Sequence, residues 1–242
     1  MTPALELKHV SKAFRAIRIA TDLDLSVAEG EAIGVLGPNG AGKTTILGLI
    51  TGTLSLDAGA VFYFGRDISR LPTEERCRLG IARAYQVPQP FGDMTVFENL
   101  LVGASFGARS GLARARDRSL QILEDCGLGA HANTPAGRLT LLNRKRLELA
   151  RALATEPKVL LLDEIAGGLT QHECGDLIAL VKRVHASGVT IVWIEHVLHA
   201  LLSVVGRALV LYQGKFIADG PPQEVIRDPK VAEIYMGIEA DA

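Results

Sequence analysis

No stretch of the 242-residue chain supplies the ~18 or more consecutive apolar residues that a bilayer-spanning helix needs. The segment from Val197 to Leu211, for example, is broken by Arg207. The opening MTPALELKHV lacks the basic start and apolar run of a secretory signal, since Glu6 and Lys8 sit where such a segment would be greasy. The expectation is a cytosolic chain. Cysteine is scarce: Cys77, Cys126 and Cys174 are odd in number, far apart and form no C-x-x-C pair, so free thiols are expected. An excess of one charge is also missing. With 26 Lys and Arg against 27 Asp and Glu, the net charge of -1 excludes a global basic field of the kind that clings to nucleic acid or anionic lipid. No internal repeat or low-complexity tract stands out.

What the chain does have is apolar residues, 48% of the total, and enough length for one large or two small domains with a real core. Short β-branched runs alternate with longer stretches of helical period, the pattern of a sheet with helices packed on it. Strands are expected at Leu5 to Lys8, Leu23 to Val27, Glu31 to Leu36 and Ala60 to Phe64, with a helix from Gly42 to about Thr53. From Val87 to Glu156 strand signals thin out. Thr95 to Ala104 reads as a helix with a capping box formed by Thr95 and Glu98. Arg114 to Cys126 reads as a second helix, closed by Gly127, and Leu141 to Thr155 as a third, ended by Pro157. Strands resume at Val159 to Leu162, Thr190 to Ile194 and Ala208 to Tyr212. The continuous run Val159 to Leu162 suits a strand buried on both faces.

The residues Gly37, Pro38, Asn39, Gly40, Ala41, Gly42, Lys43 and Thr44 fit G-x-x-x-x-G-K-[ST], between a strand and a helix as the mechanism requires. Glycines let backbone N–H groups turn inward around phosphate oxygens, and the following helix N-terminus adds its partial positive charge. Lys43 would neutralise the β and γ phosphates, and the Thr44 hydroxyl would ligate Mg²⁺. Asp163 and Glu164 follow the buried strand. One carboxylate would hold Mg²⁺ or its waters, and the next would orient and polarise an attacking water. No N-K-x-D element for guanine is present, which leans the base towards adenine. These features together indicate a nucleoside triphosphatase.

Over nearly all its length the chain resembles the ATP-binding subunits of ABC transporters. GPNGAGKTT, which extends the loop to Thr45, is that family's usual phosphate loop; LLLDE looks like its Walker B strand. Gln86 in RAYQVPQPF looks like the Q-loop glutamine, and His196 in VWIEHV like the switch histidine. The resemblance implies an α/β P-loop NTPase fold of the ABC type. Its core would be a mixed sheet with an antiparallel part (residues 1–86 and 157–242), and its inserted helical subdomain would be residues 87–156. It further implies that Phe14 stacks on adenine and that Gln86 touches Mg²⁺ or the attacking water. His196 would bond the γ-phosphate and Glu164. His199, three residues on, invites a metal pair with His196, but no third ligand accompanies it.

Within that family QPFGDMTVFENLLVGA, IEHVLHAL and the tail GPPQEV followed by DPKVAEIYMG are similar to the ATPases of branched-chain amino-acid-type importers. The tail is similar to the lipopolysaccharide-export ATPase as well. The implied partners are ATP, a second ABC ATPase in a homo- or heterodimer, membrane permease subunits and, indirectly, an external solute-binding protein, with no nucleic acid. The chain would lie in the cytoplasm, on the inner face of the membrane through the permease, where Phe91 and Met94 are candidate docking residues.

The departures from the pattern matter as much. The family's L-S-G-G-Q signature, which contacts the other subunit's γ-phosphate, is here Leu139, Thr140, Leu141, Leu142 and Asn143. Thr140 keeps a hydroxyl and is a good N-cap, but Leu141 and Leu142 put side chains where glycine usually secures close approach. Ile165 replaces a common proline, and Thr170 an Asp or Asn. The leading expectation is the ATPase of an importer for branched-chain or related hydrophobic amino acids. The alternatives are lipid or lipopolysaccharide export, a hydrolysis-deficient regulatory subunit, and a soluble ABC ATPase for DNA repair or translation.

Overall fold

A computed structural model describes residues 2–108 and 111–236. The N-terminal third forms β1 (Leu5–Phe14), β2 (Ile17–Val27), β3 (Ala32–Leu36), α1 (Lys43–Thr51), β4 (Ala58–Tyr63), the short β5 (Arg66–Asp67), α2 (Thr73–Leu79) and β6 (Ile81–Ala84). The middle holds α3 (Val96–Val102), α4 (Leu112–Asp125) and α5 (Leu141–Ala154). The last third runs β7 (Val159–Asp163), α6 (Gln171–Ala186), β8 (Thr190–Ile194), α7 (Leu198–Leu202), β9 (Arg207–Tyr212), β10 (Lys215–Gly220), α8 (Pro222–Arg227) and α9 (Pro229–Met236). No helix among the described residues is long and apolar enough to cross a membrane.

The strands form two sheets. A four-stranded antiparallel sheet has the order β2-β1-β4-β5, and a six-stranded sheet the order β10-β9-β3-β8-β7-β6. In the second, β9, β3, β8, β7 and β6 are parallel and β10 joins β9 antiparallel. This sheet divides two apolar clusters, and its strands send alternate side chains to each. Val159 and Leu161 of β7 enter the cluster shared with α1 and the antiparallel sheet, while Leu160 and Leu162 enter the one shared with α3 to α8. Both faces are covered, as an all-buried parallel strand requires.

The β1–β2 hairpin is longer than its apolar pattern indicates, because register shifts between Leu7 and Val10 and again before Lys12 break the period-two alternation. His9 and Asp22 take left-handed φ values of 51° and 53° there. Between β6 and β7 the regular elements among the described residues are helical, apart from an isolated bridge between Thr95 and Pro135. The α3 capping box is present: Thr95 Oγ1 accepts from Glu98 N at 3.2 Å, and the Glu98 carboxylate accepts from Thr95 N at 2.7 Å. Its last turn widens into a π-helical turn over Gly103–Gly107 rather than ending as α-helix. Val96, Leu100, Ile122 and Leu147 of this helical stretch pack into the same cluster as Leu160 and Trp193 of the sheet, so the insert shares its core with the sheet face.

Candidate functional site

The sharp turn from β3 to α1 builds the centre of the site. Gly37 has φ 149°, and a Cβ there would lie 2.2 Å from the backbone carbonyl oxygen of Leu211. Gly42 has φ 98°, and a Cβ would meet Ile19 Cγ2 at 2.5 Å. Neither position accepts a side chain without displacing its neighbour. No side chain caps α1 at Gly42, so the first N–H groups of the helix are left for an anion. The Lys43 ammonium lies inside the turn and donates to the carbonyls of Gly37 at 2.8 Å and Pro38 at 3.0 Å. Burial pushes its pKa down, against the opposing pull of Glu164 and Asp163.

The carboxylates arrive from β7. Asp163 is buried, accepts a hydrogen bond from the Thr44 hydroxyl at 3.2 Å on one oxygen and takes a salt bridge from Arg83 on the other. Glu164 sits beside it with φ 48°, an uncommon conformation for a non-glycine residue, pinned by its N–H to the Ile194 carbonyl at 2.8 Å. Its two oxygens go to two different connections, those that follow β6 and β8. Gln86 Nε2 donates to Oε2, and His196 Nε2 lies 2.7 Å from Oε1. Glu164, Gln86, expected at Mg²⁺ or the attacking water, and His196, expected at the γ-phosphate and Glu164, therefore converge. His199 faces Cys174, with Nε2 3.7 Å from Sγ, so the two histidines have different partners.

Phe14, Ile19, Asn39, Gly40, Ala41, Gly42, Lys43, Thr44, Thr45 and Glu164 line one open depression of about 270 Å³. The half-exposed Phe14 ring forms a wall of it, with the Lys12 ammonium 5.5 Å from the ring centroid. Thr140, Leu141, Leu142 and Asn143 are not part of this depression. They open α5, where Thr140 Oγ1 accepts from Asn143 N at 3.4 Å and Asn143 Nδ2 meets His131 Nε2 at 3.0 Å. Leu141 is exposed and lies against Gly168. Thr170 caps α6 in a full capping box with Glu173, which keeps the helix start ordered without Asp or Asn.

Several residues that shape the site had no role assigned from the sequence, although Glu195 and Asn99 lie within the stretches similar to the importer ATPases. Glu195 is almost fully buried, and its carboxylate accepts from the N–H groups of Ala166, His196 and Val197 at 3.0, 3.0 and 3.3 Å. It thus ties the segment after Glu164 to the segment carrying His196. Lys145, buried in α5, donates to the Gln86 carbonyl at 3.2 Å, and burial lowers its pKa. Asn99 is wholly buried and bonds the Phe91–Thr95 loop through four backbone groups.

A glycine turn entering an uncapped helix, a lysine at its centre and a paired Asp-Glu at the end of a nearby parallel strand define a phosphate-loop nucleoside triphosphatase. The sequence pattern of the family described as ABC transporter matches residues 20–167, more than half of the chain, and the chain belongs to that family as an ATP-binding cassette whose ATP hydrolysis is coupled to transport. A second pattern, described as branched-chain amino acid ATP-binding cassette transporter, matches residues 217–241. The chain is 34% identical over 237 residues to the lipopolysaccharide export system ATP-binding protein LptB of Acidithiobacillus ferridurans, covering 98% of each. It is 33% identical to the probable branched-chain amino acid transport ATP-binding protein LivG of Methanocaldococcus jannaschii, covering 96% of this chain and 97% of that one. A crystal structure of the ADP conformation of an ABC transporter cassette superposes with TM-score 0.88 at 31% identity, covering 98% of this chain and all of that one.

Proposed function

We propose that this cassette powers import of branched-chain or related hydrophobic amino acids. The observation that carries the chemistry is Glu164 held between Gln86 and His196 beside the phosphate loop. The loop from Gly37 to Thr45 wraps the phosphates, Lys43 turns its ammonium from the loop carbonyls to their oxygens, and Phe14 stacks on adenine. Thr44, Asp163 and Gln86 offer only oxygen donors, and the contact between Thr44 and Asp163 already brings two of them together. That hard donor set suits Mg²⁺. When bound, the ion neutralises phosphate charge. Each Glu164 oxygen keeps a second lone pair beyond its present contact, so the carboxylate can take a proton from water while Gln86 and His196 hold its orientation.

The amino-acid assignment rests on the C-terminal match and the LivG relatives. A second reading, lipid or lipopolysaccharide export, is favoured by the equal likeness to LptB. In either case the cassette works as a dimer beneath a permease. The divergent start of α5 faces the partner's nucleotide, and in a heterodimer one composite site is divergent while the other is ordinary. The groove of about 240 Å³ lined by Tyr85, Phe91, Val102, Glu148 and Arg151 is the docking place for a permease helix, and Met94 donates its N–H to the carbonyl of the lining residue Phe91 at 3.1 Å. The cassette itself lies on the cytoplasmic face, held by that permease.

The decisive experiment measures phosphate release by the chain alone and with its partners, together with uptake of labelled leucine by cells lacking it. Glu164→Gln is expected to bind ATP normally and to lose turnover about 100-fold or more, within the usual range for a lost general base. Turnover unaffected by the substitution removes Glu164 from the chemistry. Normal leucine uptake together with a defective outer surface transfers the chain to the export reading.

A further inference from the structure

Arg83 stands in β6, a four-residue edge strand whose neighbours Ala82 and Ala84 point to the helical side of the sheet. The alternation sends Arg83 to the opposite face, where its guanidinium ends on Asp163. The side chain is over nine-tenths buried, at 8% exposure, and so is the carboxylate it meets, at 3%. Its Nε is buried and, among the described residues, has no hydrogen-bond partner. The cation also lies 4.6 Å from the centroid of the Tyr85 ring. Among the described residues Asp163 is the one carboxylate that this guanidinium engages, and it takes one Asp163 oxygen while the other faces Thr44.

Resting on the reading of Asp163 and Thr44 as the Mg²⁺ ligands, we infer that Arg83 is a positioning residue for that ion. A carboxylate at a strand end can rotate about its terminal torsion, which is broad and roughly two-fold. By occupying one oxygen, Arg83 fixes that torsion and keeps the other oxygen beside the Thr44 hydroxyl. Outer-sphere partners of metal-binding carboxylates act in this way, and their loss typically weakens metal affinity 10–100-fold. Arg83 also lines the groove beside β6 and α5. Arg83 therefore borders both the metal ligand and the groove outside the nucleotide depression.

The test is binding of the fluorescent analogue trinitrophenyl-ATP, titrated with Mg²⁺ and, separately, in EDTA, with thermal unfolding followed in parallel. R83Q keeps a donor but loses the charge and the fork; its half-saturating Mg²⁺ rises about tenfold while affinity in EDTA is unchanged. R83K keeps the charge but not the planar fork, and gives an intermediate rise of about threefold. A wild-type Mg²⁺ titration in R83Q overturns the assignment. Equal loss of affinity with and without Mg²⁺ also overturns it, by making Arg83 a purely structural residue. If R83Q does not fold, R83K is read alone: the Mg²⁺-specific rise upholds the assignment, and its absence overturns it. A wild-type chain whose nucleotide binding ignores Mg²⁺ fails at the earlier step, refuting the reading of the site and the role of Arg83 with it.

Discussion

Asn99 offers a direct measure of how the Phe91–Thr95 loop is held. Its Oδ1 accepts from Phe91 N at 2.9 Å, and its Nδ2 donates to the carbonyls of Thr95 and Phe91 at 2.9 and 3.1 Å, with Met94 O further off at 3.4 Å. Three good bonds from a fully buried amide, each contributing ~1 kcal/mol net, give about 3 kcal/mol for Asn99→Ala. In a chain of this size that lowers the melting temperature by ~6–12 °C. Asn99→Asp is the sharper probe. It preserves shape and the bond from Phe91 N, but turns an oxygen towards three carbonyls, so at pH 7 it destabilises more than alanine does. Acidification narrows the gap, because the protonated acid regains one donor. Circular dichroism melts between pH 4 and 7 read both effects. Trinitrophenyl-ATP affinity stays unchanged, because Asn99 does not line the depression around Phe14, Lys43 and Glu164. A loss under ~0.5 kcal/mol for the alanine variant, or an aspartate variant as stable as wild type at pH 7, refutes the loop-anchor role.

Gly37→Ala drives a methyl group to within 2.2 Å of the Leu211 carbonyl, so the loop shifts or the strand does. Overpacking of this kind costs ~1–3 kcal/mol, and nucleotide affinity falls about tenfold or more; unchanged affinity would mean that the loop tolerates the displacement. Glu148 tests pH dependence. Burial raises its pKa above the usual carboxylate range, against the opposing Arg151 charge and backbone N–H groups. A folded-state pKa above the unfolded one stabilises the fold below the unfolded pKa, and that stabilisation is lost as pH rises through the folded value. The melting temperature of Glu148→Gln relative to wild type therefore climbs from pH 4 to pH 7. A difference that shrinks over that range would show that the pairing with Arg151 outweighs burial.

The local grammar of the chain was readable wherever a short stretch carried its own instruction. Gly37 to Thr44 specifies its turn, Thr95 with Glu98 specifies a helix start, and the unbroken Val159 to Leu162 specifies a strand with two covered faces. Alternation in the sequence predicts too short an antiparallel hairpin, because the bulges at His9 and Asp22 disrupt it and a bulge has no signal in a single strand. β6 is not legible in the sequence, since two alanines and an arginine make a poor strand pattern; the arginine is acceptable only because Asp163, far along the sequence, meets it. Glu195, Lys145 and Asn99 share that property. Each is a polar residue in an apolar setting, explained only by backbone groups that the fold delivers. Gln86, Glu164 and His196 lie on three separate connections, and their meeting was inferred from family resemblance rather than from any spacing in the chain.

The placement of β3 has a consequence for how the protein is made. Among the described residues the strand that carries the phosphate loop pairs with β8 and β9, and the loop's first glycine packs against the Leu211 carbonyl. A ribosome working at ~5–20 residues per second delivers those neighbours on the order of ten seconds or more after the glycines have emerged. Until then the nascent segment has no strand to lie between. Nucleotide capture is thus a late event in synthesis, and a chain interrupted before β9 carries the complete phosphate-loop motif without the wall that gives it shape.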